Sequence, residues 1–264
     1  MLKNSNHTRV SFVMSVFNAE EYIEKSIDSI LSQTYKNFRL FIVDDGSRDE
    51  TLKIIQIKAK KDKRIKILIN KKNVGLTQSL INAIEKTSSE IIVRQDADEI
   101  SKKYRLARLL KYYDDQTVVA VGSNCLNIYS NTLKINWGYL NENQIKKKIK
   151  YKTIFPHGSS SFRKKNYDQV RGYDVKYKTC QDFDLWNKLI KTGRILMSED
   201  ILLDRYILKD SISKKRKIRQ FLDSLNIRIK YNNPLNPKIY ILSITYFIIS
   251  IIPERIYFSI KKIL

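Results

Sequence analysis

The stretch Val43-Asp44-Asp45-Gly46-Ser47 places two carboxylates and a glycine directly after an apolar segment. The residues that lead into it, Phe38 to Val43, predict a buried β-strand that ends abruptly at the acidic pair. Asp96-Ala97-Asp98 repeats this arrangement after a second apolar segment, Glu90 to Arg94. Because the carboxyl ends of parallel strands share one edge of a sheet, we expect the two acidic clusters to lie together at a ligand site.

Strand and helix signals alternate outward from these two clusters. The apolar runs predict strands over Arg9–Phe17, Phe38–Val43, Ile65–Ile69, Glu90–Arg94, Thr117–Ser123 and Gly158–Phe162. Helices are predicted after each of the first three strands, and the first of them places Ile23, Ile27, Ile30 and Leu31 on one face. This order predicts an α/β fold, with a mostly parallel mixed sheet and helices on both faces.

Two polar pairs predict the starts of the first two helices. Asn18 with Glu21, and Ser47 with Glu50, have the spacing of a capping box. Further along, Asn141 to Lys150 predicts a basic helix. Gln181–Ile190 predicts a helix whose buried side carries Leu185, Trp186 and Leu189.

The charge balance is strongly basic. The 264 residues include 50 Lys and Arg against 27 Asp and Glu, a net charge of +23, and 42% are hydrophobic, which suits a folded domain. Such a balance fits nucleic acid, a membrane face or a phosphorylated substrate, and a Lys-rich coding bias produces it as well. Nucleic acid is disfavoured, because the lysines are diffuse and the clustered acids would repel phosphate in the absence of a metal.

Cysteine and histidine usage restricts the chemistry further. The two cysteines, Cys125 and Cys180, have no C-x-x-C spacing, which favours reduced thiols and a cytoplasmic location. The chain has only two histidines, so a bound metal would depend mainly on carboxylates. Carboxylates favour Mg or Mn over Zn.

The C-terminal part differs in character from the rest. We divide the chain into a domain over residues 1–213 and a basic, apolar helical tail over residues 214–264. Lys214–Arg219 holds five basic residues in six, and Ile239–Ile252 runs fourteen residues without a charge. A membrane span needs about 20 apolar residues, so this pattern favours a helix in the interface of an anionic membrane. Packing onto the domain and a true span are the alternatives.

Three acidic groups could carry chemistry. Asp96 and Asp98, two apart in an extended segment, leave the chain in similar directions and can share one hard cation, although a solvated acid pair looks the same. Asp44 and Asp45 could accept hydrogen bonds from a nucleobase or ribose, or could simply form a turn. Asp182, at a predicted helix start, is either a cap or a general base.

Together the motifs are far more specific than any one of them. They are Ser15-Val16-Phe17-Asn18, Glu21-Tyr22-Ile23, Ser29-Ile30-Leu31-Ser32-Gln33-Thr34-Tyr35, Val43-Asp44-Asp45-Gly46-Ser47, Asn73-Val74-Gly75-Leu76, Asp96-Ala97-Asp98, Pro156-His157-Gly158 and Gln181-Asp182-Phe183-Asp184-Leu185-Trp186. In order and spacing, from about Val10 to Ser213, the set resembles inverting family 2 glycosyltransferases of the bacterial surface-polysaccharide type. These enzymes have the GT-A (nucleotide-diphospho-sugar transferase) fold.

The resemblance implies a reaction. A sugar would pass from a nucleotide-sugar, with UDP favoured, to a glycan or lipid-diphosphate-linked acceptor, in one displacement that inverts the anomeric carbon. Asp98 would bind Mn or Mg directly with Asp96 beside it, and Asp182 would be the general base. The implied location is the inner face of the plasma membrane. A catalytically silent relative that acts as a membrane-bound assembly partner is the alternative.

The resemblance also assigns binding residues. The nucleotide-sugar site would comprise Phe17, Asn18, Glu20, Asp44, Asp45, Gly75, Arg94 and Asp96, and the acceptor or diphosphate side His157, Gln181 and Arg205. His157 could equally be a buried polar residue. Leu208 stands where many relatives have a histidine, so Arg205, Lys209, Lys214 or Lys215 would replace it. The chain has neither a G-x-G-x-x-G after the first strand nor a Walker P-loop, which disfavours dehydrogenases and ATPases.

Overall fold

A mixed sheet crosses the part of the chain that the computed structural model describes, residues 9–129, 133–135, 138–207 and 216–251. Its nine strands are β1 (Val10–Val16), β2 (Phe38–Asp44), β3 (Ile65–Ile69), β4 (Ile91–Arg94), β5 (Glu99–Ser101), β6 (Val118–Ile128), β7 (Leu133–Ile135), β8 (Ser161–Arg163) and β9 (Arg194–Tyr206). They are ordered β3-β2-β1-β4-β8-β6-β9-β5, and β7 pairs with β6.

Helices cover the sheet. They are α1 (Ile23–Leu31), α2 (Thr51–Lys61), α3 (Leu76–Glu85), α4 (Arg105–Tyr112), α5 (Glu142–Lys148), α6 (Lys164–Gln169), α7 (Gln181–Leu189), α8 (Lys217–Tyr231) and α9 (Pro237–Ile251). One 3-10 turn, His157–Ser159, precedes β8. The predicted α/β class, with a mostly parallel sheet and helices on both faces, is confirmed.

The first four strands form the parallel half of the sheet. β1 pairs in parallel with both β2 and β4, and β2 pairs with β3. An apolar layer therefore lies on each face of the sheet. Val13 belongs to one layer and Phe12 to the other, and both are fully buried. The predicted face of α1 is buried as well, since Ile23, Ile27 and Ile30 have no exposed surface. The parallel register brings the ends of β1, β2 and β4 to one edge.

The two predicted capping boxes are wrong. α1 begins at Ile23 with Tyr22 before it, and α2 begins at Thr51 after Glu50; neither start has a side-chain cap. Asn18 and Ser47 instead join the two loops. The Asn18 N–H donates to Ser47 Oγ (3.0 Å). In return Asn18 Oδ1 accepts from the Arg48 N–H (2.9 Å). The polar side chains satisfy the neighbouring loop rather than their own helix, which fixes the loops at the sheet edge.

The C-terminal helices pack on the domain. α8 lies on α7, and its Ile227 is fully buried with Tyr177 and Phe183. α9 packs on α8, where Phe221 and Phe247 have ring centroids 5.0 Å apart. The expected boundary at residue 213 lies outside the described residues. None of the described helices combines the length and the apolar content needed to cross a bilayer.

Candidate active site

The Asp96 carboxylate is held at the end of β4 by a buried arginine. The Arg94 guanidinium has no exposed surface, donates to the carbonyls of Val13 (2.9 Å) and Gln95 (3.0 Å), and pairs with Asp96. Burial alone would raise the pKa of Asp96, but the positive charge of Arg94 lowers it. Asp96 is therefore a fixed, ionised carboxylate whose orientation the sheet itself determines.

Two more carboxyl groups crowd this position. Burial, reinforced by the Asp96 charge, raises the pKa of Asp98 to about 6. Burial, followed by the charges of Asp96 and Asp98, raises the pKa of Glu99 to about 8. Glu99 Oε2 accepts from the Asp96 N–H (2.9 Å), whereas Oε1 is buried and has no partner in the described part of the chain. Like charges at this spacing resist joint ionisation, so a cation would favour the ionised form of all three.

The donor set suits a hard divalent cation. Carboxylate oxygens are the ligands that Mg and Mn prefer. Within residues 9–129, 133–135, 138–207 and 216–251, no three His, Cys, Asp or Glu side chains converge into a complete cage. Asp96 and Asp98 would therefore leave several coordination positions to substrate oxygens and water. That open arrangement is typical of ions that bind together with a phosphate group.

His157 is tied into the same network. Its Nε2 lies 2.6 Å from the Tyr173 hydroxyl and accepts a long hydrogen bond from Arg94 Nε (3.4 Å). Arg94 can only donate, so Nε2 is an acceptor and the ring proton is assigned to Nδ1. Burial, with the Arg94 charge, lowers the pKa of His157 to about 3. The ring is neutral at physiological pH and links the acidic cluster to the loop that precedes α7.

Both carboxylate oxygens of Asp45 accept hydrogen bonds from the 70–75 loop. Its Oδ1 accepts from Asn70 Nδ2 (2.8 Å) and the Val74 N–H (2.9 Å), and its Oδ2 accepts from the Gly75 N–H (2.8 Å). Gly75 has φ +94°, a conformation that favours glycine, immediately before α3. Asp45 therefore shapes the 70–75 loop through three hydrogen bonds.

The neighbouring Asp44 has a hydrogen-bond partner for only one of its carboxylate oxygens among the described residues. One oxygen, Oδ2, accepts from the Ser47 N–H (3.2 Å), and the other, Oδ1, is buried with no partner among the described residues. On the facing loop, Phe17 exposes 44% of its surface. Glu20 Oε2 accepts from the Glu50 N–H (2.8 Å), next to the first turn of α2. The structure thus brings together the residues that the sequence singled out between Phe17 and Asp45.

Asp182 lies in the first turn of α7 and does not cap it. The residue before the helix is Cys180, with φ +57° and no side-chain cap. Asp182 Oδ2 accepts from the Thr153 hydroxyl (2.9 Å). Burial raises the pKa of Asp182, and the charge of Asp96 adds to this effect. Its neighbour Gln181 is almost wholly buried.

Arg205 reaches the acidic cluster from β9. It is paired in register with Glu99 of β5 and donates to Asn127 Oδ1 of β6 (3.1 and 3.3 Å). Its charge acts to lower the pKa of Asp98, whose dominant influence is burial in the opposite direction. Lys209, Lys214 and Lys215, the other expected diphosphate ligands, lie outside the described residues.

Sequence reasoning missed two polar residues of the site. Thr153 contacts Asp182, and Tyr173 contacts His157. Neither belongs to a motif, and both come from irregular segments whose course depends on the tertiary fold. Only the close approach of Pro156-His157-Gly158 to the acidic cluster had a sequence signal.

The sequence profile described as "Glycosyl transferase family 2" matches residues 11–172, more than half of the chain. The chain belongs to glycosyl transferase family 2. It is therefore a glycosyltransferase, as the motifs predicted. The matched range contains every site segment except Tyr173, the start of α7 and the end of β9.

Curated relatives of this family 2 chain include three of bacterial origin. The putative glycosyltransferase EpsE of Bacillus subtilis is 31% identical over 189 residues, 70% of this chain and 68% of that protein. The O-antigen biosynthesis glycosyltransferase WbnJ of Escherichia coli is 31% identical over 185 residues, 69% of this chain and 71% of that protein. An uncharacterized glycosyltransferase of Haemophilus influenzae is 39% identical over 115 residues, and this match spans only 36% of its length.

Solved structures with the same fold confirm the GT-A architecture. The mannosyltransferase PcManGT of Pyrobaculum calidifontis, in complex with GDP-Man and Mn2+, has a TM-score of 0.67 at 18% identity. That alignment covers 92% of this chain and 70% of the other. S. aureus TarS 1-349 in complex with UDP-GlcNAc has a TM-score of 0.66 at 15% identity, over 94% of this chain and 82% of that one. At these identities the likeness establishes the fold.

Proposed function

We propose that this family 2 glycosyltransferase transfers a sugar from a nucleotide-sugar, with UDP-sugars favoured, to a glycan or lipid-linked acceptor in surface-polysaccharide biosynthesis, with inversion. The observation that carries the proposal is the pairing of two carboxylate centres at one sheet edge: Asp96 with Asp98 after β4, and Asp182 at the start of α7. The charge of Asp96 contributes to raising the pKa of Asp182, so the two centres lie near each other. In a single-displacement transfer, one centre would bind the cation and the other would accept the proton of the acceptor hydroxyl.

Asp98, with Asp96 beside it, would hold Mn or Mg. Such an ion would neutralise the diphosphate and stabilise it as a leaving group. The Mn2+ and GDP-Man of the PcManGT complex support a metal in this fold. Arg94 would keep Asp96 in place, and Arg205, which faces the same cluster, would contact the diphosphate.

The nucleotide would lie between the Phe17–Glu20 loop and the Asp44–Asp45 turn. The exposed Phe17 ring offers a stacking surface for a base, and the unpartnered Asp44 oxygen could accept a hydrogen bond from an N–H of its edge. Asp45 would act by holding Gly75 in the conformation that lets a ligand approach the backbone. The UDP-GlcNAc of the TarS complex is the support for a UDP-sugar.

Asp182 would take the proton from the attacking acceptor hydroxyl. Burial raises its pKa, which makes it a stronger base than a solvated carboxylate. The Thr153 hydroxyl donates to one oxygen of this carboxylate and would hold it in place. Gln181 and His157 would flank the acceptor side.

The acceptor would be a lipid-diphosphate-linked glycan at the inner face of the plasma membrane. The O-antigen role printed in the name of WbnJ supports surface-polysaccharide assembly as the setting. The basic balance of the chain, +23, favours an anionic surface and an anionic substrate together.

Calorimetry with nucleotides tests the proposed donor site. We expect UDP to bind with Mn present. GDP, whose purine offers a different hydrogen-bonding edge, and dTDP, which adds a C5 methyl and lacks the ribose 2′-hydroxyl, should bind at least roughly tenfold more weakly, a difference of about 1.4 kcal/mol. Asp200→Asn, at an exposed position in the middle of β9, is the control, and Asp98→Asn is expected to abolish the metal-dependent part of binding. If no nucleoside diphosphate binds with or without Mn, the donor-site assignment is wrong.

A further inference from the structure

α9 exposes several large apolar side chains. Its exposed side includes Tyr240, Ile241, Ile244 and Ile248, which we call the α9 stripe; the three isoleucines are 62%, 52% and 46% exposed. Its polar Ser243 is turned inward, where its hydroxyl accepts from Arg228 Nη1 (2.9 Å). A surface helix of a domain in water normally buries its apolar stripe and exposes its polar residues. We therefore expect the α9 stripe to contact another apolar surface.

Basic residues occur on α8 and at the start of α9. They include Lys217 and Arg219 at the start of α8, Lys230 at its end and Lys238 at the start of α9. α9 has no acidic residue over Pro237–Ile251, and α8 has one, Asp223. Asp223 is 3% exposed and already accepts from the Thr179 hydroxyl (2.8 Å). The two helices together therefore carry a net positive charge.

A lysine-lined cavity lies at the end of α8, beside the start of α9. Its volume is about 670 Å³, and its wall includes Lys146, Lys150, Lys191 and Lys230, with no carboxylate. Lys146 and Lys230 are each paired at 2.8 Å with a carboxylate outside the wall. Lys150 and Lys191 have no carboxylate within 4.0 Å in the described part of the chain. Three helices end here, each with about half a unit of negative charge at its C-terminus, and the lysines outweigh them.

The cavity and the stripe belong to one surface. Asn232, in the cavity wall, donates to the Lys150 carbonyl (3.0 Å), and the chain reaches α9 five residues later. Lys238, in the first turn of α9, lies with its Nζ 4.5 Å from the centre of the Tyr151 ring. An apolar strip with cation-lined space at one end has the layout of a bilayer boundary, where hydrocarbon adjoins phosphate.

We infer that the α8–α9 face docks on an anionic phospholipid bilayer, with the α9 stripe in the boundary between acyl chains and headgroups and a headgroup phosphate in the lysine-lined cavity. The inference extends the proposed function, since a lipid-linked acceptor would lie in the same bilayer. α8 packs on α7, the helix that carries Asp182 in its first turn, so the docked face is packed against the element that holds the proposed base.

A second copy of the chain fits the same face poorly. In a two-fold dimer the same patch meets itself, so Lys230 and Lys238 would approach their own counterparts and repel them. An anionic bilayer neutralises these charges and provides the apolar cover at once. Charge complementarity therefore favours the bilayer.

Vesicle sedimentation of the full chain tests the inference. Vesicles of phosphatidylcholine alone are compared with vesicles that also contain phosphatidylglycerol. We expect the chain to pellet with the anionic vesicles, and Ile241→Asp/Ile244→Asp to reduce that binding at least roughly tenfold. Lys150→Gln/Lys191→Gln should reduce it about fivefold per lysine, and only on the anionic vesicles.

Matched controls are available on α2. Ile57→Asp, at an exposed isoleucine, and Lys60→Gln/Lys61→Gln, at two exposed lysines, should pellet like the parent chain. Nucleotide binding without vesicles should be unchanged in the α9 and cavity variants, which separates a failure of this inference from a failure of the donor-site proposal.

Four results would overturn the inference. The first is a parent chain that stays in the supernatant with anionic vesicles. The second is vesicle binding that the α9 and cavity variants leave unchanged. The third is a dimer in solution that Ile241→Asp/Ile244→Asp dissociates. The fourth is binding that appears only after removal of residues 252–264, since that segment would then cover the stripe.

Discussion

Thr153→Val should move the acidic limb of the pH–rate profile. Thr153 donates its hydroxyl to Asp182 Oδ2 at 2.9 Å, and burial raises the pKa of this carboxyl group. A hydrogen bond to a charged acceptor is worth about 1.5–3 kcal/mol. One pH unit corresponds to about 1.4 kcal/mol, so loss of this bond moves the limb by about one to two pH units.

The direction follows from which form the hydroxyl stabilises. It donates to the carboxylate, so its removal favours the protonated acid and raises the pKa of Asp182. A general base works only when deprotonated, and at any pH on the limb fewer molecules would carry the active form. The limb therefore shifts to higher pH, and on the limb itself the variant is about 10- to 100-fold slower.

The assay is release of nucleoside diphosphate as a function of pH, with acceptor present and Mn saturating so that Asp96 and Asp98 stay ionised. Thr153→Ser keeps the hydroxyl and should restore the parent profile, whereas a purely steric role would leave it as impaired as the valine variant. A Thr153→Val profile with lower rate but an unmoved acidic limb would refute the reasoning, because Asp182 would then not be the titrating base.

Two other substitutions probe the framework of the site. Asp45→Asn replaces the oxygen that accepts from the Gly75 N–H (2.8 Å) with a donor, so we expect a loss of about 2–3 kcal/mol. The thermal midpoint should fall by about 4–12 °C, and a fall under about 2 °C would contradict the role of Asp45 as a loop clamp. Gly158→Ala would place a Cβ 1.8 Å from the buried Glu99 Oε2. A cost of about 1–3 kcal/mol in urea unfolding is expected, and full stability would mean that the Glu99 carboxylate can move freely.

The parallel half of the fold was predictable because its signals are local. Ile65–Ile69 was predicted with the observed bounds, and β1, β2 and β4 to within one residue at either end. β1, β2 and β4 are almost entirely buried and read as continuous apolar runs, whereas β3 is an edge strand with exposed positions. The predicted burial of Trp186 and Leu185 is also confirmed.

The misses come from interactions between distant segments. β5 and β9 pair across about a hundred residues, and β5 is only three residues long, so β5 has no periodic signal of its own. The capping box that does form, Asn141 with Gln144 at the start of α5, was overlooked, whereas Asn18 and Ser47 met the right spacing but found partners in each other's loops. Spacing along the chain shows which capping hydrogen bonds are possible. It does not show whether a distant segment offers the same side chain a different partner.

Within the site, the sequence predicted which residues could act more clearly than it predicted their contacts. The roles proposed for Asp96, Asp98 and Asp182 stay predictions, but the structure places all three where the motifs implied. What the sequence could not reveal is the division of labour between Asp44 and Asp45, since their types and positions are equivalent on paper. Only the three hydrogen bonds that Asp45 makes to the 70–75 loop distinguish them.

The most direct test of the account is release of nucleoside diphosphate from a panel of nucleotide-sugars, measured with Mn and with EDTA. Asp98→Asn and Asp182→Asn are compared with the exposed Asp200→Asn. The account predicts metal-dependent release from one donor, loss of activity in the first two variants and retention in the third. Release that continues undiminished in EDTA or in Asp98→Asn would contradict a metal held by Asp96 and Asp98.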